Sequence, residues 1–151
     1  MPTDPSTLRS LLRLPCTIAV VGLSADWSRP SFEVSQTMQA HGYRIVPVNP
    51  RYVEKGEKIL GEACYASLRD IPFAVDIVNV FRRTEDVLPI AEQAVQIGAK
   101  CLWQQIGVAN QEADQLARAA GLASVMNLCI KIEHARLAGG RHIESVVSAK
   151  F

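Results

Sequence analysis

Gly22, Ser24, Arg29 and Ser31 follow directly on a β-branched run, Thr17-Ile-Ala-Val-Val21. A strand that stops at glycine and leads into a helix start suits an anion. The glycine permits close backbone approach, and the first N–H groups and dipole of the helix favour negative charge. Arg29 adds a fixed, forked positive charge matched to phosphate. Arg29-Pro-Ser31 therefore predicts a phosphate-bearing ligand over the first strand.

Other candidate groups stand at the ends of later apolar runs: Asn49-Pro-Arg51, Phe81-Arg-Arg83, Gln104-Gln-Ile-Gly107 and Asn127. Arginines occur at three of the predicted strand ends. In a chain of net charge +1 this gathers positive charge on one edge. No catalytic set accompanies it. Ser24 has no histidine near it in the predicted layout, and His41 and His134 read as capping or packing residues. The four cysteines, Cys16, Cys64, Cys101 and Cys129, form no C-x-x-C, so they read as free thiols without a metal. Cys101 lies in an apolar run and reads as core. Cys129 precedes a predicted helix and is a candidate reactive thiol.

The elements that position these groups are punctuated by glycine. His41-Gly42, Ile97-Gly98 and Ala120-Gly121 each end a helical pattern and precede a strand: Tyr43–Val48, Lys100–Trp103 and Leu122–Met126. A further strand, Val75–Val80, follows Ile71-Pro72. Helical periodicity joins Val87, Ile90, Ala91, Ala94 and Val95, and again Ala113, Leu116, Ala117 and Ala120. Thr84 is a candidate cap for the first of these helices, although Pro89 then fits poorly and favours a later start. Asn110 caps the second. A last helix spans about Cys129 to Leu137, with Leu128, Ile132 and Ala135 on one face. Residues before Leu8 and after Ala138 are expected to be loosely held. Residues 51–70 read as an irregular excursion.

Alternating strands and helices predict an α/β fold. It is Rossmann-like and three-layered, with a doubly wound parallel sheet of about five strands in the order 3-2-1-4-5. The 151 residues fit a single domain with a core of about 17–137. The composition, 48% hydrophobic and 21% charged, is that of a globular chain. It carries no basic excess for nucleic acid and no apolar run long enough for a bilayer. The N-terminus lacks the pattern of a secretory signal, so a cytoplasmic location is expected.

The nucleotide can be narrowed. A dinucleotide site would show G-x-G-x-x-G and an acid ending the second strand. Here Gly22 stands alone in Gly22-Leu-Ser-Ala-Asp-Trp27, and Asn49-Pro50 ends the second strand. NAD is disfavoured, and G-x-x-x-x-G-K-[ST] is absent. Trp27, in the loop, is a candidate for stacking on a base.

Several motifs in this order resemble the small single-domain CoA-binding proteins of Rossmann-like fold, relatives of the CoA-binding domain of the succinyl-CoA synthetase α subunit. They are Val20-Val-Gly-Leu-Ser24, Arg29-Pro-Ser31, Gly42-Tyr43, Val46-Pro-Val-Asn-Pro50, Asp76-Ile-Val-Asn-Val-Phe-Arg-Arg83, Trp103-Gln-Gln105 with Gly107, and Cys129-Ile-Lys-Ile-Glu-His-Ala-Arg-Leu137. The resemblance implies bound coenzyme A or acyl-CoA. Gly22, Leu23 and Ser24 would line the phosphate or pantetheine path, and Arg29 and Ser31 would meet phosphate. Val48, Asn49 and Pro50 would shape the nucleotide wall. Phe81 and Arg82 would cover the ligand, while Trp103, Gln105 and Gly107 would close the far side. The chain departs from the family pattern at Asn127-Leu128, where relatives carry an Asp-Arg pair, and at Asn79, where aspartate is frequent. The synthetase's phosphohistidine machinery belongs to another domain. The expected role is that of a non-catalytic binding or regulatory protein, monomeric or homodimeric, with room for an unknown protein partner. The alternative reading is an NAD(P)-dependent oxidoreductase or redox regulator with a non-standard phosphate loop. A weaker third is an interaction domain with a vestigial pocket.

Overall fold

The structure is a computed structural model that describes residues 3–138. Thirteen strands and helices follow in chain order. The chain opens with α1 (Pro5–Leu11), β1 (Thr17–Val21), α2 (Pro30–Ala40) and β2 (Arg44–Val48). Next come α3 (Pro50–Lys55) and a small antiparallel pair, β3 (Lys58–Ile59) and β4 (Glu62–Ala63). The second half holds β5 (Ile77–Val80), α4 (Val87–Gln96), β6 (Cys101–Gln104), α5 (Gln111–Ala119), β7 (Ala123–Val125) and α6 (Ile130–Ala138).

The main sheet is parallel and runs β2-β1-β5-β6-β7. Alternation along β1 sends Ile18 and Val20 to one face and Ala19 and Val21 to the other. The first face is covered by α1, α2 and α6 through Leu8, Leu12, Val34, Met38 and Ile130. The second is covered by α4 and α5 through Val87, Ala91, Ala94, Ala113 and Ala117. Burial on both faces explains why the strands read as continuous apolar runs. The result is the expected Rossmann-like three-layer architecture.

The strand order corrects one expectation. Counting main-sheet strands along the chain, the order is 2-1-3-4-5 and not 3-2-1-4-5. The reason lies on the outer edge of β2. There the Tyr65 N–H donates to Pro47 at 3.0 Å and the Tyr65 carbonyl accepts from Asn49 N–H at 2.9 Å. The excursion takes that edge, so β5 pairs on the far side of β1, with Ile18 opposite Ile77. The Asp76 carboxylate fixes the start of this register by accepting the Thr17 N–H at 2.8 Å.

Three local expectations also change. Residues 5–7 are helical, because Asp4 caps α1 by accepting the Thr7 N–H at 3.0 Å and Leu8 and Leu12 are buried. Thr84 does not cap α4. A 3-10 turn, Thr84–Asp86, precedes a helix starting at Val87, which places Pro89 in the first turn where its missing N–H costs nothing. On α6 the buried residues are Ile130, Glu133 and His134, whereas Leu128, Ile132 and Ala135 are exposed. His134 packs on His41, with ring centroids 4.6 Å apart, and lies edge-on to Tyr43. The expectation for residues after Ala138 lies outside the described residues.

Candidate functional site

All five parallel strands end on one rim, where their carboxyl-terminal loops enclose a cleft of about 880 Å³. Because β2 and β5 flank β1 on opposite sides, strand order reverses there, and the crevice opens at that switch point.

Gly22 has φ +90°, and a Cβ there would collide with the carbonyl oxygen of Phe81. Its N–H donates to Val48 at 2.9 Å. The glycine therefore serves the packing of neighbouring strand ends, and its amide is not offered to a ligand. The loop beyond is closed by its own side chains. Ser24 N–H donates to Ser31 Oγ at 3.0 Å, Asp26 N–H to Ser24 Oγ at 3.0 Å, and Ser28 N–H to Asp26 Oδ1 at 2.9 Å. The Ser28 hydroxyl holds the Asp26 carboxyl below its ordinary range. Arg29 ends this loop before Pro30 opens α2, with its Nε 3.9 Å from Asp26.

The cleft's cations are not equivalent. Arg29 faces Asp26, and Arg83 pairs with Asp86 at 3.1 Å. Among the described residues, Arg51 and Arg82 have no carboxylate within salt-bridge reach. Arg82 arches over Gly22, its Nε 3.3 Å from where a Cβ would stand. Two guanidinium groups without a carboxylate partner among the described residues thus flank the switch point.

Asn49 settles how β2 ends. Its Oδ1 accepts the Arg51 N–H at 3.2 Å and caps α3, while its Nδ2 donates to the Leu23 carbonyl at 3.1 Å. Both polar ends of the side chain are engaged within the protein, where a dinucleotide site would present a ribose-binding carboxylate. Two residues into the helix, Tyr52 places its hydroxyl 3.4 Å from Ser24 Oγ. The Ser24 hydroxyl, with the Ala25 backbone second, holds the phenol below its ordinary pKa.

At the opposite end the walls lose their charge. Gln105, Ile106, Val108 and Cys129 line the cleft over β6 and β7. Asn127 adopts φ +58°, and its Oδ1 accepts the Gly107 N–H at 2.7 Å, tying the two loops together. The Leu128 carbonyl accepts from Trp103 Nε1 at 2.8 Å.

Of the residues expected at the site, Gly22, Ser24, Arg29, Ser31, Asn49, Phe81, Arg82 and Gln105 line this cleft. Val48 and Pro50 border a smaller neighbouring pocket that also touches Arg82. Leu23 and Trp103 are fully buried, so their side chains belong to the core. Gly107 is exposed on the adjoining loop, and Trp27 is exposed and outside the cleft lining. Sequence reasoning missed Tyr52. The signal was Asn49-Pro50, a cap followed by a first-turn proline, which starts a helix and turns Tyr52 inward.

Comparison with known proteins places the chain in a family. A family model described as the CoA binding domain matches residues 16–135. The uncharacterised protein YneT of Bacillus subtilis is 41% identical over 128 residues, covering 85% of this chain and 92% of that protein. The structure of cell-free ID.343 from Thermus thermophilus superposes with a TM-score of 0.84 at 35% identity, covering 89% of this chain and 99% of the other. An ADP-forming acetate–CoA ligase of Archaeoglobus fulgidus is 32% identical over 88 residues, 57% of this chain but only 12% of the ligase. The chain belongs to the CoA-binding domain family.

Proposed function

We propose that this protein binds coenzyme A or an acyl-CoA along the cleft and acts as a carrier, sensor or regulatory subunit without turnover of its own. The observation that carries the reading is the pair of guanidinium groups, Arg51 and Arg82, that flank the switch point of the cleft and have no carboxylate partner among the described residues. Unpaired arginines in a partly enclosed site favour phosphate, because the cost of desolvating them is met by charge-assisted hydrogen bonds. The phosphates lie over β1, β2 and β5, and the pantetheine arm runs toward Gln105 and Val108. The occupied side chain of Asn49 speaks against NAD.

Isothermal titration with CoA, dephospho-CoA and NAD tests this. CoA should bind with a negative heat-capacity change, dephospho-CoA more weakly, and NAD weakest. Binding of NAD without binding of CoA would overturn the proposal.

A further inference from the structure

The residues that line the cleft after β6 and β7 carry no charge, and one of them is a thiol. Adjacent parallel strands stand about 4.8 Å apart, so five strand ends span about 19 Å. Arg51 follows β2, the first of these strands, and Arg82 follows β5, the third. Cys129, only 7% exposed, lines the cleft after β7, the fifth, directly before α6.

Beside it stands a second, independent group. Gln105 is 3% exposed, and its Oε1 accepts the Ile130 N–H at 3.0 Å. This bond fixes the carboxamide against the residue following Cys129. Its Nε2 bonds no other described residue, and Gln105 lines the cleft. A carboxamide donor left free at the wall of a cleft offers a place where a ligand acceptor can bond. A pantetheine arm carries amide carbonyls along its length and a thiol at its end.

We propose that Cys129 forms a mixed disulfide with the thiol of coenzyme A held in this cleft. The proposal rests on the CoA-binding reading. The co-reactant is a CoA disulfide. The Cys129 thiolate attacks one sulfur of that disulfide, an Sγ–S bond forms and the original S–S bond breaks. The departing CoA thiolate takes up the proton that Cys129 gave. One disulfide is consumed and one is made, so no further oxidant is needed. The other thiols are set apart from this chemistry. Burial pushes Cys16 up to about 12 and also raises Cys64 and Cys101, and none of the three lines the cleft.

The test uses the full chain. Intact mass spectrometry after incubation with CoA disulfide should show one CoA added per chain, removed by dithiothreitol. Peptide mapping of this unsubstituted protein should place the adduct on Cys129. Cys129→Ser should lose the adduct and Cys64→Ser should keep it. Because the ligand is pre-bound, the adduct should form about tenfold or more faster than with glutathione disulfide at equal concentration. Calorimetry with reduced CoA runs in parallel on the unsubstituted protein. If reduced CoA binds yet no adduct forms, or it maps to Cys64, or glutathione disulfide reacts as fast, the thiol inference is overturned and the CoA site stands. If reduced CoA does not bind, the site reading falls and the inference with it.

Discussion

The carbonyl oxygen of Phe81 occupies the space that a side chain at Gly22 would need. The two residues end neighbouring strands, and the contact locks the switch point shut beneath the cleft. A substitution at Gly22 therefore acts first on folding.

Gly22→Ala meets two penalties: a positive φ and a clash with backbone that has no rotamer to yield. We expect a loss of about 2–4 kcal/mol in stability, read from urea midpoints. Gly107 also has positive φ, but nothing lies within 4 Å of its Cβ position. Gly107→Ala should cost only the left-handed conformation, about 1–2 kcal/mol. Equal losses at the two positions would show that the Phe81 contact is relieved by a backbone shift.

Arg82 and Arg29 separate on their partners. Sequence alone points to Arg29 as the phosphate ligand, with an expected cost of about 1–3 kcal/mol on removal. In the structure Arg29 shares its charge with Asp26, whereas Arg82 has no acid to leave among the described residues. Arg82→Ala should weaken CoA binding by about 1.5–3 kcal/mol, and Arg29→Ala by about 1 kcal/mol or less. Calorimetry of both variants at two salt concentrations decides the order. A larger loss at Arg29 would return the phosphate to the α2 start.

Much of this was legible from residue order. Glycine-ended helices followed by β-branched runs located the strands to within a residue or two, because both signals are local. Strand order was not local. It depended on Tyr65 closing the outer edge of β2, a pairing made by a residue within an irregular stretch. The site divided the same way. Gly22 and the rim arginines were visible as types at strand ends, but their partners were not. Asp26 beside Arg29, and the lack of an acid beside Arg82 among the described residues, are facts of loop conformation. Trp103 illustrates the converse. Its place at a strand end is compatible with a pocket wall, yet the alternation of β6 turns it into the core with its indole N–H on Leu128.

Asn49 offers a test of ligand class. Asn49→Asp would supply the carboxylate that a dinucleotide site uses at the end of its second strand. It would also remove the Nδ2 donor and set a carboxylate oxygen against the Leu23 carbonyl. We expect a loss of about 1–3 kcal/mol in stability, seen as a lower melting temperature, and no gain in NAD affinity. A stable variant that binds NAD would show that this chain needed only the missing charge.

Asp4 sets the acid limit of the N-terminal helix. Hydrogen bonds from the Ser6 hydroxyl first, then from the Thr7 backbone and hydroxyl, lower its carboxyl from 3.8 to about 2. A carboxyl lowered in the folded state contributes stability that is full above its unfolded value and disappears as pH falls through the folded one. Asn also caps helices well, so Asp4→Asn removes the charge while keeping the cap. The native protein should melt higher than Asp4→Asn above about pH 4, and the gap should close between about pH 4 and pH 2. Carboxyl carbon shifts of Asp4 should titrate near 2 in the same range. A gap that persists unchanged below pH 2, or a carboxyl that titrates at 3.8, would mean that the hydroxyl contacts do not bear on the folded state. In that case α1 would be held by its cap and the burial of Leu8 and Leu12, with no contribution from the Asp4 charge.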